Sequence, residues 1–203
     1  MKHFDVYYKL ASLTMNSCTM EIPAYEEARK TWLCTGCGSP KPGVEAVDAM
    51  IQEDKLDNTP LNFVSGCGIG IARRDFLSVL GDAQVDQYLW LGRVFGPDGN
   101  LLKKWVTFNG KNKIIIRGSK HVAVRSCPFC QRQVYFAMAP LYLYPEPKSG
   151  VGIFDADMGT LVITKEIMAK ITLNKWRKID CDKLPVLEWP TDGLTELTTP
   201  WVQ

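Results

Sequence analysis

The sequence predicts an α+β fold: an antiparallel β meander with a few short helices, stapled by a zinc-ribbon-like site of four cysteines. Three observations point there. Short apolar runs are separated by strong turn signals, such as Pro97-Asp98-Gly99-Asn100 and Asn109-Gly110. Helix-compatible segments are few and brief. Two Cys-x-x-Cys pairs, Cys34/Cys37 and Cys127/Cys130, stand 89 residues apart.

Taken in order, Phe4 to Leu13 reads as a first strand, apolar and aromatic with Asp5 and Lys9 between. Trp32-Leu33 leads into the first cysteine pair, and Lys41-Pro42-Gly43 reads as a loop. Val44 to Leu56 is expected to be a helix with Val47, Ile51 and Met50 on its inner face, ended by Asn58-Thr59-Pro60. The glycine-rich Ser65 to Gly70 lacks both the Gly-Lys-Ser/Thr of a phosphate loop and the third glycine of a dinucleotide site. It reads as a turn with close backbone packing. Ala72 to Leu80 follows as a helix, with Phe76, Leu77 and Leu80 inward and Gly81 at its end.

Tyr88 to Phe95 and Leu101 to Phe108 read as a hairpin, and Asn109-Gly110 as the turn before Lys113 to Arg117. Val122 to Val124 enters the second cysteine pair and Val134 to Tyr144 leaves it. Beyond Pro145 to Gly150, Ile153-Phe154 and Thr160 to Ile163 read as strand pieces. Thr164 can then cap a helix that buries Ile167, Met168 and Ile171. Trp176 to Ile179 and Leu184 to Trp189 are apolar enough to pack back on the sheet, and the tail reads as a strap. The expected organisation is a zinc-stapled α+β domain over 1–150. A smaller C-terminal lobe with an extended tail covers 151–203, or continues the same domain.

Composition narrows the function classes. Of 203 residues, 46% are hydrophobic and 23% charged, which excludes wholesale disorder. Lys and Arg total 24 against 22 Asp and Glu, so the chain lacks the strong excess of a dedicated polyanion binder. No run approaches the roughly 20 apolar residues of a membrane span. The amino terminus has no apolar leader pattern, so a cytoplasmic location is expected. Charge is uneven: Gly99 to Tyr144 carries eight bases and no acid, whereas Asp180 to Gln203 carries five acids and one base. The basic hairpins can serve as a surface for an acidic partner or simply as a solvated face.

Seven cysteines, an odd number, argue against a disulfide framework. Two residues between cysteines let the backbone fold into a knuckle that aims both sulfurs at one cation. Two knuckles then make a four-thiolate shell suited to zinc. The expected ligands are Cys34, Cys37, Cys127 and Cys130, stapling two distant parts of one fold. His121 is a weaker alternative ligand, and Cys18, Cys67 and Cys181 read as small buried hydrophobes. Four thiolates leave no open position for water, so the zinc is structural. No nucleophile elbow, metal-binding His-Glu helix or Walker motif occurs, and Asp155 and Asp157 read as a loop or strand end. A binding protein rather than an enzyme is expected.

The order of motifs resembles the double-CXXCG family first noted in myxobacteria. It runs Trp32-Leu33-Cys34-Thr35-Gly36-Cys37-Gly38, Ala72-Arg73-Arg74-Asp75-Phe76, Trp105, Arg117-Gly118, Arg125-Ser126-Cys127-Pro128-Phe129-Cys130, Tyr135, then strand and helix near Leu161 to Ile171. The likeness spans about residues 1–180 and departs at Gln131, where the family pattern asks for glycine. It implies an immunity protein that binds and neutralises a cognate toxin domain through a protein–protein interface, with a zinc staple. By composition, anchor candidates are Trp189, Trp201, Tyr142 and Tyr144. The alternative is a zinc-ribbon nucleic-acid-binding protein in which Trp105, Phe108 and Phe129 stack on bases.

Overall fold

A computed structural model gives the fold; it describes residues 6–12, 17–38, 41, 44–56, 59–64, 69–112, 114, 116–117, 122–131, 133–135, 142–143, 152–156, 160–171, 176, 179–186 and 194–196. The chain opens with β1 (Tyr7–Ser12), β2 (Ser17–Cys18) and α1 (Ile22–Thr31). It continues through β3 (Ala49–Met50), a 3-10 turn at Glu53–Lys55, β4 (Leu61–Val64) and β5 (Ile69–Arg73). Helices α2 (Arg74–Leu80) and α3 (Asp82–Tyr88) lead to β6 (Leu89–Phe95) and β7 (Leu101–Gly110). Then come β8 (Ile116–Arg117), β9 (Val122–Ser126), β10 (Gln133–Tyr135), β11 (Tyr142–Leu143), β12 (Ile153–Asp155) and β13 (Leu161–Thr164). Helix α4 (Lys165–Met168), β14 (Ile179–Leu184) and β15 (Leu194–Glu196) complete an α+β molecule.

Two sheets make its body. The larger has six strands in the order β2-β4-β5-β7-β6-β3, antiparallel within and closed by a short parallel pair at each edge. The smaller runs β12-β13-β1-β14, all antiparallel. Strand side chains alternate between faces, so one strand can serve two cores. On β13, Leu161 and Ile163 join the central core while Val162 faces a second apolar cluster with Tyr7 and Phe154. The central core lies between the sheets and collects Leu10, Phe76, Leu80, Val106, Phe108 and Ile167. The far face of the larger sheet is covered by α1 and residues 44–56, which bury Ala28, Leu33, Val47, Ile51, Ile71 and Trp105.

The sheet containing β1 joins chain segments on either side of residue 150. β1 hydrogen-bonds to β13 along one edge and β14 along the other, and the central core mixes Leu61 and Phe76 with Ile153 and Leu161.

Helix α2 forms as the pattern demands. Phe76, Leu77 and Leu80 are buried, and Gly81, at φ 96°, ends it in a conformation that costs a residue with a Cβ dearly. The expected C-terminal helix is the single turn of α4, which buries Ile167; Ile171 follows it into the core and Met168 is half-buried. Thr164 stands at its N-cap without a side-chain capping bond; its hydroxyl accepts from the Gly152 amide instead.

Two local expectations are corrected. Residues 44–56 are not a helix. Val47, Ala49 and Ile51 are buried at every second position, and Ala49-Met50 pairs with β6. Asn109-Gly110 is not a turn but the end of β7, paired with Trp90 and Leu89. Glycine is required there because a Cβ at Gly110 would collide with Asp155 on β12. The C-terminal apolar runs pack back as expected: Trp176 and Ile179 reach the central core, Leu184 and Val186 the second apolar cluster, and between them Ile179–Leu184 pairs with β1, Asp182 opposite Lys9. Lys9 lies 2.7 Å from Asp180 and 3.1 Å from Asp182. Gly66, Cys67, Gly68 and His121 lie outside the described residues, as do Tyr144, Asp157, Trp189 and Trp201.

Candidate metal centre

Each cysteine pair is delivered by a different kind of element. The first follows α1. Pro23 sits in the first turn of that helix, where its missing amide hydrogen costs nothing. At the other end Arg29 and Lys30 lie in the last turn, and Lys41 reaches back to the carbonyls of Lys30 at 3.3 Å and Thr31 at 3.2 Å. Cations there satisfy open carbonyls and the negative end of the helix dipole. Leu33, fully buried beneath the helix, fixes the chain just before Cys34.

The second pair is carried by a hairpin. β9 and β10 are antiparallel with Ser126 opposite Gln133, so Cys127 to Gln131 lie in the connection between them. β15 adds to the outer side of β9 in parallel, completing a three-stranded ribbon.

The two knuckles have the same backbone. The Gly38 amide donates to the Cys34 carbonyl and the Gln131 amide to the Cys127 carbonyl, both at 2.9 Å. The residue that closes each turn is left-handed: φ is 67° at Gly38 and 59° at Gln131. Gln131 is the single non-glycine residue with positive φ among the described residues. The departure from glycine at this position therefore changes the residue but not the turn. Gln131 also donates its side-chain amide to the Pro128 carbonyl at 3.2 Å.

The geometry brings all four expected residues together. Their sulfurs lie within 4.8 Å of one another, with Cys34 Sγ 3.6 Å from Cys127 Sγ and Cys37 Sγ 3.7 Å from Cys130 Sγ. Each close pair takes one sulfur from each knuckle. The first pair is buried and the second half-buried. Such a cluster can hold a metal ion, and it is the one such grouping of Cys, His, Asp and Glu side chains among the described residues. Burial pushes the Cys34 thiol up. The Cys37 and Gly36 amides and the Cys130 and Cys127 sulfurs outweigh it and hold the thiol at about 7. A sulfur so placed gives up its proton to a metal readily.

The knuckles also pack on each other. A Cβ at Gly36 would overlap the Phe129 ring and come 3.0 Å from Cys127 Sγ. Phe129 thus lies against the first knuckle while 56% of it remains exposed.

Other sulfur positions differ. Cys18 is buried, as expected, with its Sγ 3.5 Å from the Lys55 carbonyl. Cys181 is only half-buried, 3.6 Å from Met168 Sδ. Asp155, read from sequence as a loop or strand end, closes β12 as a buried residue, and its Oδ2 accepts from the Gly110 amide at 2.8 Å. Trp105 and Phe108, the proposed base-stacking residues, are in the core at 5% and 2% exposure, because β7 is covered on both faces from Trp105 onward. Lys103 and Lys104 of the basic stretch are exposed, and Lys111 is spent on the Asp86 carbonyl at 2.5 Å. No described helix is long and apolar enough to cross a membrane. Neither a protein-family model nor a curated protein matches the chain.

Proposed function

We propose that this chain is an immunity protein, binding and neutralising a cognate bacterial toxin domain through protein–protein contact in the cytoplasm, with a structural zinc ion on Cys34, Cys37, Cys127 and Cys130. The observation that carries the reading is the four-sulfur cluster built from two matching knuckles. Zinc–sulfur bonds of about 2.3 Å place the sulfurs of a tetrahedral site roughly 3.8 Å apart. The cross-knuckle separations of 3.6 and 3.7 Å suit that ion. Four thiolates fill the shell, so the ion would hold the fold without activating water. The motif order that resembles the double-CXXCG family supplies the link to toxin neutralisation.

Two measurements test the two halves. Metal analysis of purified protein is expected to give about one zinc per chain, with Cys34→Ser losing it; a folded, metal-free wild type would sink the zinc assignment. Co-expression with the toxic domain encoded beside it is expected to restore growth. A toxin that kills regardless of this chain removes the immunity reading. For nucleic acid, the competing partner, exposed Lys103 and Lys104 remain available but two of its three aromatic platforms are buried. Binding that weakens steeply with added salt would revive it.

A further inference from the structure

We propose that the four-cysteine centre is also a peroxide-sensitive site, at which oxidation forms a disulfide between the knuckles, Cys37 to Cys130, in place of the metal. The inference rests on the metal reading and goes beyond it. It stands on the unequal exposure of the sulfurs and on how they are paired. Cys34 and Cys127 are buried, whereas Cys37 and Cys130 are half-buried on the open side. A small oxidant in solution reaches the open side first, because cysteine oxidation follows exposure and thiolate character. The partner in reach there belongs to the other knuckle: Cys37 Sγ and Cys130 Sγ are 3.7 Å apart. A disulfide needs its sulfurs at about 2.05 Å, so this pair must close by less than two ångströms.

The chemistry balances with hydrogen peroxide as the two-electron oxidant. One outer thiolate attacks a peroxide oxygen; the O–O bond breaks, hydroxide leaves, and a sulfenic acid forms. The other outer thiolate attacks that sulfur, the S–S bond forms, and a second hydroxide leaves. Each sulfur has lost one electron, peroxide has gained two, and two protons from solvent convert the hydroxides to water. The ion, left with two thiolates, dissociates. The joint between α1 and the β9–β10 hairpin survives as a covalent bond instead of a coordination bond. Oxidation therefore changes the staple without opening it.

Trypsin makes the pairing readable. Cys34 and Cys37 share one peptide after Lys30, and Cys127 and Cys130 share Ser126 to Arg132. The metal-loaded protein would be exposed to hydrogen peroxide, with released metal followed by a chromogenic chelator. Remaining thiols would then be alkylated and the unreduced digest weighed. The expected product is the two peptides joined, with the alkyl label on Cys34 and Cys127, formed as metal is released. Two separate peptides, each lighter by two hydrogens, would overturn the proposal, since the bonds would then lie within the knuckles. Sulfinic acids without a disulfide, or a label on Cys37 and Cys130, would overturn it as well. The joined peptide from protein that never held metal would leave the oxidation standing and remove the metal reading.

Discussion

Replacing Gly36 by alanine reports directly on whether one knuckle packs on the other. The new methyl would overlap the Phe129 ring and press on Cys127 Sγ at 3.0 Å. The sulfur is held by its own knuckle, so the ring must move. Phe129 is 56% exposed, so something under half of its surface is covered. For a side chain of roughly 200 Å² that is about 90 Å², or about 2 kcal/mol at about 25 cal/mol per Å². Swinging the ring aside forfeits about half of this. The sulfur contact adds a few tenths, so Gly36→Ala should cost about 1–1.5 kcal/mol. In a Phe129→Ala background the ring is gone and only the sulfur contact remains. The same glycine substitution should then cost about 0.5 kcal/mol or less. Urea melts of the wild type, both single variants and the double variant, in the presence of zinc, give the coupling directly. Equal costs of Gly36→Ala in both backgrounds would refute the claim that Phe129 rests on the first knuckle.

Three other expectations concern stability. Gly38→Ala forces a side chain to φ 67° and should cost about 1 kcal/mol by chemical denaturation, whereas Gln131→Gly relieves similar strain but gives up the bond to the Pro128 carbonyl and rigidity in the unfolded chain, so it should change stability by no more than about 0.5 kcal/mol. A larger gain from Gln131→Gly would mean that the second knuckle is more strained than its matching hydrogen bonds suggest. Asp155→Ala leaves the Gly110 amide without the buried carboxylate that accepts from it, and should lower stability by about 2 kcal/mol in the same assay. A loss below about 0.5 kcal/mol would remove Asp155 as a clamp between the sheets. The Arg73 guanidinium, bonded to Asp75 at 3.0 Å, holds that carboxyl below its ordinary value. A depressed carboxylate adds stability above its unfolded pKa of about 3.9, and the contribution disappears as pH falls through the folded value. Arg73→Ala should therefore reduce the loss of stability on acidification from pH of about 6 to about 3. With the carboxylate half-exposed, the difference should be under about 1 kcal/mol. An unchanged acid slope would dismiss the pair.

Much of this molecule can be read without coordinates, and the exceptions share a cause. Two-residue spacing announces both knuckles, and the turn at Pro97 to Asn100 announces the β6–β7 hairpin. The stripe of Phe76, Leu77 and Leu80 announces α2. By contrast, α1 carries no such stripe: Ala28 is its single buried residue and Ile22 is 73% exposed. Its sequence signals are Pro23 at the start and the polar helix formers Glu26 to Lys30, both easy to pass over. Helix α3 likewise buries one residue, Val85. In 44–56, Val47 and Ile51 lie four apart and mimic a helix face. Burial of Ala49 between them shows a period of two, but alanine is too small to announce itself. At Gly110 the sequence shows the lack of a side chain but not which neighbour requires it. That neighbour, Asp155, is 45 residues away.

The place of β1 between β13 and β14 has a consequence for biosynthesis. β1 must wait for partners encoded about 150 residues later, which at about 5–20 residues per second is roughly 8–30 seconds. The four cysteines are all translated by residue 130, well before β13 emerges. The four-sulfur cluster that could hold a metal ion is therefore complete in sequence while β1, with the buried Tyr7 and Leu10, still lacks a sheet to enter. Closure of that sheet must follow synthesis of β13 and β14, and chaperone dependence should track the waiting first strand rather than the knuckles.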